Sequence, residues 1–109
     1  MARTPKKVGQ AALNVSGSVV TIATGAAIRT QITEIWVANT GASARTATLL
    51  AHGTGVLAAN MILPPTSIAV CEVKILSDLK IVLAPGETLR GYQNSGTDIT
   101  VTAYGIEEA

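Results

Sequence analysis

Between Glu34 and Glu72 the chain carries one full charge, that of Arg45. The residues in between alternate apolar with small or hydroxyl side chains and are interrupted by glycine and proline, which is typical of strands and turns. A segment of this length with so little charge cannot be solvated on every side. We therefore expect much of residues 35–71 to face a core or another copy of the chain.

The composition favours assembly. The chain has 109 residues, the size of one domain. Hydrophobic residues make up 48%, but aromatic residues only 3%, and phenylalanine is absent. An alanine-rich core of this kind buries little area per residue and stabilises less than its percentage suggests. Small domains with such cores gain stability by burying further surface between subunits, so we expect a homo-oligomer.

Apolar side chains recur with a period of two along nearly the whole chain, and β-branched residues dominate the apolar runs. No stripe with the period of a helix persists, so helix is expected only as a turn near residues 56–61. We predict an all-β fold, a single-domain antiparallel β-sandwich or jelly roll of about eight strands. The predicted strands are residues 11–15, 18–24, 29–39, 45–52, 67–76, 79–83, 88–93 and 98–107.

Glycine and proline mark the predicted turns. The turn at residues 39–43 places Gly41 where a positive φ is expected. Residues 84–87 have proline second and glycine third, the order that a type II turn requires. The two prolines at 64–65 are expected to end the segment at residues 56–63, whether that segment is a helical turn or a strand. Residues 94–97 are expected to close a hairpin between the last two strands.

The long strand at residues 29–39 contains the only tryptophan. Strict alternation puts Ile32 and Trp36 on one face and Ile35 and Val37 on the other. The first interpretation of Trp36 is a core residue, and the second is a hot spot of a subunit interface.

Few residues could support chemistry. The single cysteine, Cys71, excludes an internal disulfide and is interpreted as a small buried hydrophobe. The single histidine, His52, is interpreted as an exposed strand-end residue, because no serine and acid lie at triad spacing. Glu72 and Lys74 are interpreted as a solvated strand face. We therefore expect no enzymatic activity, no metal site, no cofactor and no small-molecule substrate.

The overall charge and the amino-terminal residues bear on partners. A net charge of +1 argues against nucleic acid as a partner. No apolar run approaches the roughly 20 residues that span a bilayer, and no signal peptide is evident, so we expect synthesis in a cytoplasm and no membrane association. Residues 1–10 are predicted to be a basic arm, with Arg3, Lys6 and Lys7, before a sandwich domain at residues 11–109. The arm is either solvated or laid on an acidic patch of a neighbour or on packaged nucleic acid, and we expect it to be disordered in isolation.

Four segments together resemble a diffuse group of small tailed-bacteriophage virion proteins. They are a strand ending in an asparagine turn (residues 35–44), a threonine-rich strand (46–50), the segment Leu83-Ala84-Pro85-Gly86-Glu87-Thr88-Leu89-Arg90-Gly91, and a closing valine and threonine strand with a Gly-x-Glu ending (99–107). The resemblance implies a structural role on the particle, as a capsid decoration (cement) protein or as a head–tail or tail component. The implied partners are the chain itself, with a trimer preferred, and the major capsid or tail protein. The implied location is the virion, made in the host cytoplasm.

Two further hypotheses differ from capsid decoration. A tail, neck or fibre-associated sandwich could contact other tail subunits or a host surface, including sugars, for which Trp36, Tyr92 and Tyr104 are available. A small hydrolase or isomerase on a jelly-roll scaffold would need clustered histidine and carboxylate groups, which the sequence lacks. For the assembly hypothesis we predict these interface residues: Arg3, Lys6, Lys7, Trp36, Leu50 and Leu57.

Overall fold

A computed structural model describes residues 6–15, 18–52 and 60–108 of the chain. The described residues form nine β-strands and no α-helix, and so none of them belongs to a helix that could cross a membrane. The all-β prediction is confirmed. Residues 56–59 of the predicted helical turn lie outside the described residues. The strands are β1 (Lys6–Ala12), β2 (Val20–Thr24), β3 (Arg29–Asn39), β4 (Arg45–His52), β5 (Met61–Ile68), β6 (Val73–Leu76), β7 (Ile81–Leu83), β8 (Thr88–Gln93) and β9 (Ile99–Glu108).

The strands form two antiparallel sheets. Sheet A has the order β1-β9-β3-β6, with β7 pairing to β3 on the same side as β6, and sheet B has the order β2-β8-β4-β5. Among these strands, the chain changes sheet at every connection except β4–β5 and β6–β7. With β6 and β7 counted as two parts of one strand position, this is the strand order of a jelly roll, one of the two architectures that the sequence left open.

The core lies between the sheets and takes alternate residues from both. Ile35 and Val37 enter it from β3, Leu49 from β4, Leu89 from β8 and Val101 from β9, and all five are fully buried. The buried hydrophobic residues are all aliphatic. The aromatic-poor composition therefore describes the core itself.

A β-bulge in β3 decides which of its side chains reach the core. The register of β3 against β9 shifts between Ile32 and Glu34, which makes Thr33 the extra residue. Ile32 therefore lies on the same inward face as Ile35, whereas Trp36 points outward and is 41% exposed. The predicted face shared by Ile32 and Trp36, and the predicted core position of Trp36, are both wrong because the bulge moves the alternation by one residue.

The last two strands do not form the predicted hairpin. β8 lies in sheet B and β9 in sheet A, so residues 94–98 form a corner between the sheets. Arg45 holds this corner, since its Nε donates to Asp98 Oδ2 at 2.6 Å and its Nη1 donates to Ser95 Oγ at 2.7 Å. The one full charge of the charge-poor segment is thus neutralised within the chain.

One glycine turn is confirmed and one is not. Gly86 has a φ of 86°, and the Glu87 amide donates to the Ala84 carbonyl at 2.9 Å, as expected for a type II turn. Gly41 does not have the predicted positive φ. A glycine is needed there because a Cβ would overlap with the side chain of Asp98.

The strand predicted at residues 67–76 is two strands in different sheets. β5 ends at Ile68, and β6 begins at Val73. Cys71 lies in the turn between them with a φ of 60° and is exposed, so its predicted burial is wrong. The prolines at 64–65 were predicted to end the segment at residues 56–63, but they lie inside β5, which tolerates them because it is the edge strand of sheet B.

Residues 6–10 belong to sheet A and not to a free arm. β1 pairs antiparallel with β9 from Lys6 to Ala12, and the Lys6 ammonium forms an ion pair with Glu107. The predicted boundary at the end of the arm is wrong because the ladder with β9 already begins at Lys6. Residues 1–5 lie outside the described residues.

Gly105 should not tolerate a side chain. It is buried in β9, where a Cβ would overlap with the backbone carbonyl oxygen of Gln31. We expect Gly105→Ala to lower the free energy of unfolding by about 3 kcal/mol, the upper range for overpacking, in urea denaturation. Gly86→Ala is the control, because nothing lies within 4 Å of its Cβ position. Its positive φ alone should cost about 1 kcal/mol, so equal losses in the two variants would contradict this packing role.

Candidate contact surface

The outward face of sheet B holds one of the predicted interface residues, Leu50. It is paired with Arg90 across the β4–β8 ladder, lies outside the core cluster and is nevertheless fully buried. The predicted interface role of Leu50 is therefore wrong, because its side chain is not on the free surface of the chain.

The outward face of sheet A, by contrast, exposes large apolar side chains. Directly paired residues share a face of a sheet, so the register assigns this surface. Trp36, Val73 and Ile75 are 41%, 48% and 50% exposed. We define the sheet A face as Val73 and Ile75 of β6, Ala38, Trp36 and Glu34 of β3, Thr100, Thr102 and Tyr104 of β9, and Ala12, Gln10 and Lys7 of β1.

The sheet A face consists of three rows across the strands. The first row is Val73, Ala38, Thr100 and Ala12, the second is Ile75, Trp36, Thr102 and Gln10, and the third is Glu34, Tyr104 and Lys7. The first two rows carry no full charge, whereas the third carries one of each sign. Along these three rows the face changes from uncharged to charged, and beyond them the next outward pair is Gln31 with Val82, which is 45% exposed.

Trp36 is held in place by its neighbours on this face. Its indole Nε1 donates to Glu34 Oε2 at 2.7 Å. Its ring meets that of Tyr104 edge to face, with centroids 5.8 Å apart and an interplanar angle of 64°. Beside it, Thr102 is largely buried and accepts a hydrogen bond from Gln10 Nε2 at 2.8 Å. A pre-ordered indole loses little rotamer freedom when a partner covers it.

A groove of about 610 Å³ lies at the charged end of the face. It runs between β3 and the β6–β7 connection, and Tyr104 forms part of its wall. Its polar lining includes Gln31, Glu34, Ser77, Asp78 and Lys80. Asp78 has a φ of 57°, a backbone conformation that aspartate tolerates better than most residues. The groove thus combines both signs of charge with an aromatic side chain.

Two of the predicted cations can be placed. Lys7 is exposed on β1 and belongs to the charged row, opposite Tyr104. Lys6, also exposed, is paired with Glu107 at the edge of the sheet. Arg3 and Leu57 lie outside the described residues, so their interface roles stay predictions.

The remaining titratable groups of the described residues lie apart from this groove. His52 ends β4, is exposed as predicted, and its Nδ1 lies 3.4 Å from Glu87 Oε1. A hydrogen bond from the Ala84 amide, and a second from His52, lower the pKa of Glu87. Within residues 6–15, 18–52 and 60–108, no three histidine, cysteine, aspartate or glutamate side chains are grouped so that they could hold a metal ion.

Sequence reasoning missed Val73 and Ile75. It assigned Glu72 and Lys74 to a solvated face, but Lys74 is opposite the buried Val37 and is only partly exposed. Glu72 lies outside β6, where its Oε1 accepts a hydrogen bond from the Ala69 amide at 2.7 Å. The alternation of residues 72–75 indicated a strand with two different faces. It did not indicate which of the two faces points to the core.

Compared with known proteins, the chain matches no family model, no curated protein and no solved structure. A function for it must therefore be argued from its own residues.

The different surroundings of Leu50 and Ile28 predict different stabilities. Leu50 is fully buried, whereas Ile28, before β3, is 48% exposed. We expect Leu50→Ala to lower the free energy of unfolding by about 2–5 kcal/mol. Ile28→Ala should change it by no more than about 0.5 kcal/mol. Chemical denaturation followed by the fluorescence of Trp36 measures both, and a small effect at Leu50 would contradict its burial.

Proposed function

We propose that the chain is a non-enzymatic structural protein of a bacteriophage particle, and specifically a capsid decoration (cement) protein that binds and stabilises the head as an oligomer. The observation that carries the proposal is the sheet A face, an ordered and largely uncharged surface on a jelly-roll frame. The resemblance of residues 32–107 to small virion proteins supports the same role.

The exposed apolar side chains in the two uncharged rows of the sheet A face support assembly. Val73, Ile75 and Trp36 lie next to each other on paired strands and are each at least two-fifths exposed. Single exposed apolar residues are ordinary on protein surfaces, but contiguous ones usually mark a contact with another protein. Covering them releases about 25 cal/mol for each Å² of apolar surface, which is how a decoration protein could stabilise a shell.

The composition of the face is also that of an interface centre. Protein contacts are depleted of charge at their centre and enriched in tryptophan, tyrosine and methionine. Trp36 and Tyr104 provide two aromatic side chains in contact with each other, and the full charges lie at one end. This arrangement supports a structural subunit whose stability depends on its neighbours.

Localisation on particles tests the proposed role. Virions produced from the genome that encodes this chain should contain it in many copies, detectable by mass spectrometry of purified particles. Negative-stain microscopy with an antibody against the chain should show label distributed over the heads. Particles that lack the chain should bind the purified protein and then withstand heating better. Particles without label on the head would contradict capsid decoration.

A second candidate function is a tail, neck or fibre-associated protein that contacts other tail subunits or the host surface. The groove beside Tyr104 favours it, because a sugar could stack on an aromatic ring while Glu34, Asp78 and Gln31 accept or donate hydrogen bonds to its hydroxyls.

Binding to immobilised host polysaccharide tests this second function. Wild-type protein should bind, and Asp78→Asn should bind at least about tenfold more weakly, since a charge-assisted hydrogen bond is lost. Glu72→Gln is a matched control, because Glu72 is an exposed carboxylate that does not line the groove. Equal binding by all three proteins, or none by the wild type, would contradict a sugar site in the groove.

A further inference from the structure

We infer that the sheet A face binds the same face of a second copy of the chain, about a symmetry axis parallel to strands β3 and β9. The inference rests on the assembly role proposed above. It names a second copy of the chain as the first partner in that assembly. It follows from three features: the blunted sheet edges, the change of polarity along the face, and the distribution of its charges.

The edges of the two sheets are poorly suited to pairing with another chain. β1 and β2 each contain a bulge in their ladder. β5 carries two prolines, at 64–65. In β6, Lys74 is opposite the buried Val37 and therefore projects toward the inner side of the sheet, where an added strand would cover it. Bulges, prolines and inward lysines are the features by which edge strands avoid pairing, so association is directed to the face.

The change of polarity along the strands fixes the orientation of the second copy. An axis parallel to the strands brings equal rows of the two copies to the same height. The row of Trp36 then meets the row of Trp36 with its flanks exchanged, so uncharged surface covers uncharged surface and Ile75 of one copy lies toward Gln10 of the other. An axis across the strands would instead lay Val73 of one copy near the charged row that contains Glu34 of the other, where those charges would lose water without a partner.

The charges of the third row support the same orientation. Lys7 lies on the β1 flank of the face, whereas two carboxylates, Glu34 and Asp78, and one cation, Lys80, lie toward the β6–β7 flank, which leaves that flank net negative. An axis parallel to the strands places the β1 flank of one copy against the β6–β7 flank of the other. Lys7 then approaches carboxylates of its neighbour, and the two copies are electrostatically complementary.

This arrangement also assigns an occupant to the groove. The neighbour's Lys7 enters at the height of Ser77 and Asp78, which line the groove. The interface and a bound sugar would therefore compete for the same space. An assembled protein that still binds polysaccharide through Asp78 would overturn this placement.

Ile75→Asp tests the interface directly. Ile75 is half exposed, so the substitution should leave the fold intact, with an unchanged far-ultraviolet circular dichroism spectrum. We expect wild-type protein to sediment as a dimer, because a face that binds the same face of a second copy closes a two-fold interface. The dissociation constant of Ile75→Asp should rise at least about 30-fold, as for loss of a central interface side chain.

Ile28→Asp is the matched control. Ile28 is 48% exposed, and its backbone amide bonds to the Glu108 carbonyl at the far end of sheet A. This variant should keep the wild-type mass. A monomeric wild type at its highest soluble concentration, or an Ile75→Asp variant with wild-type mass, would overturn the inference.

Engineered cysteine pairs test the orientation in a Cys71→Ser background. Lys7→Cys and Ser77→Cys lie on opposite flanks of one face, three strand positions or about 14 Å apart, so a disulfide between them requires two copies. Oxidised glutathione should convert this double variant to covalent oligomers on a non-reducing gel. The double variant Val73→Cys with Ser77→Cys represents the alternative orientation. An axis across the strands would bring Val73 of one copy next to Ser77 of the other. Failure of the first pair to cross-link overturns the parallel axis.

The outcomes separate this interface from the proposed function. A protein that is monomeric in solution yet labels virion heads would overturn the interface and leave the structural role in place. A protein that forms the cross-linked oligomer but is absent from virions would uphold the interface and contradict the role.

Discussion

The extra residue in β3 is the constraint on which the rest of the structure depends. β3 is the one strand that pairs with β9, β6 and β7, so a shift in its alternation changes what all of sheet A presents. With Thr33 in the bulge, the strand gives aliphatic side chains to the core on both sides of the shift, and its tryptophan goes to the opposite face. The outward position of the single tryptophan is thus the result of one backbone irregularity.

The sequence predicted the fold class well because period-two alternation and turn residues are local signals. The strand at residues 45–52 was predicted with its observed bounds, and the type II turn was predicted from two residues. Position across sheets is not a local property, so the corner at residues 94–98 and the break around Cys71 were not predicted. Alternation shows that a strand has two faces, but only tertiary packing shows which face is buried, and a bulge exchanges them.

The candidate surface could be predicted only in part for the same reason. Low charge in residues 35–71 indicated burial, yet most of that burial is intramolecular: Leu49, Leu50 and Ile68 are fully covered within the chain. Of the three large apolar side chains exposed on the sheet A face, Val73 and Ile75 lie in β6, beyond the charge-poor segment and beside a lysine that suggested solvent. Val, Ile and Leu serve core and contact surface alike, so residue type alone cannot divide them.

The position of β9 has a consequence for how the protein folds. It lies between β1 and β3 in sheet A, although it is the last described strand in chain order. A ribosome therefore completes the centre of this sheet after every other described strand has been made. Until then β1 and β3 both present unpaired edges on the side that β9 will occupy. Pairing between residues so distant in the chain is slow, on the scale of milliseconds to seconds. During that interval the nascent chain exposes apolar surface and unpaired strand edges, the two features that make folding intermediates prone to aggregate.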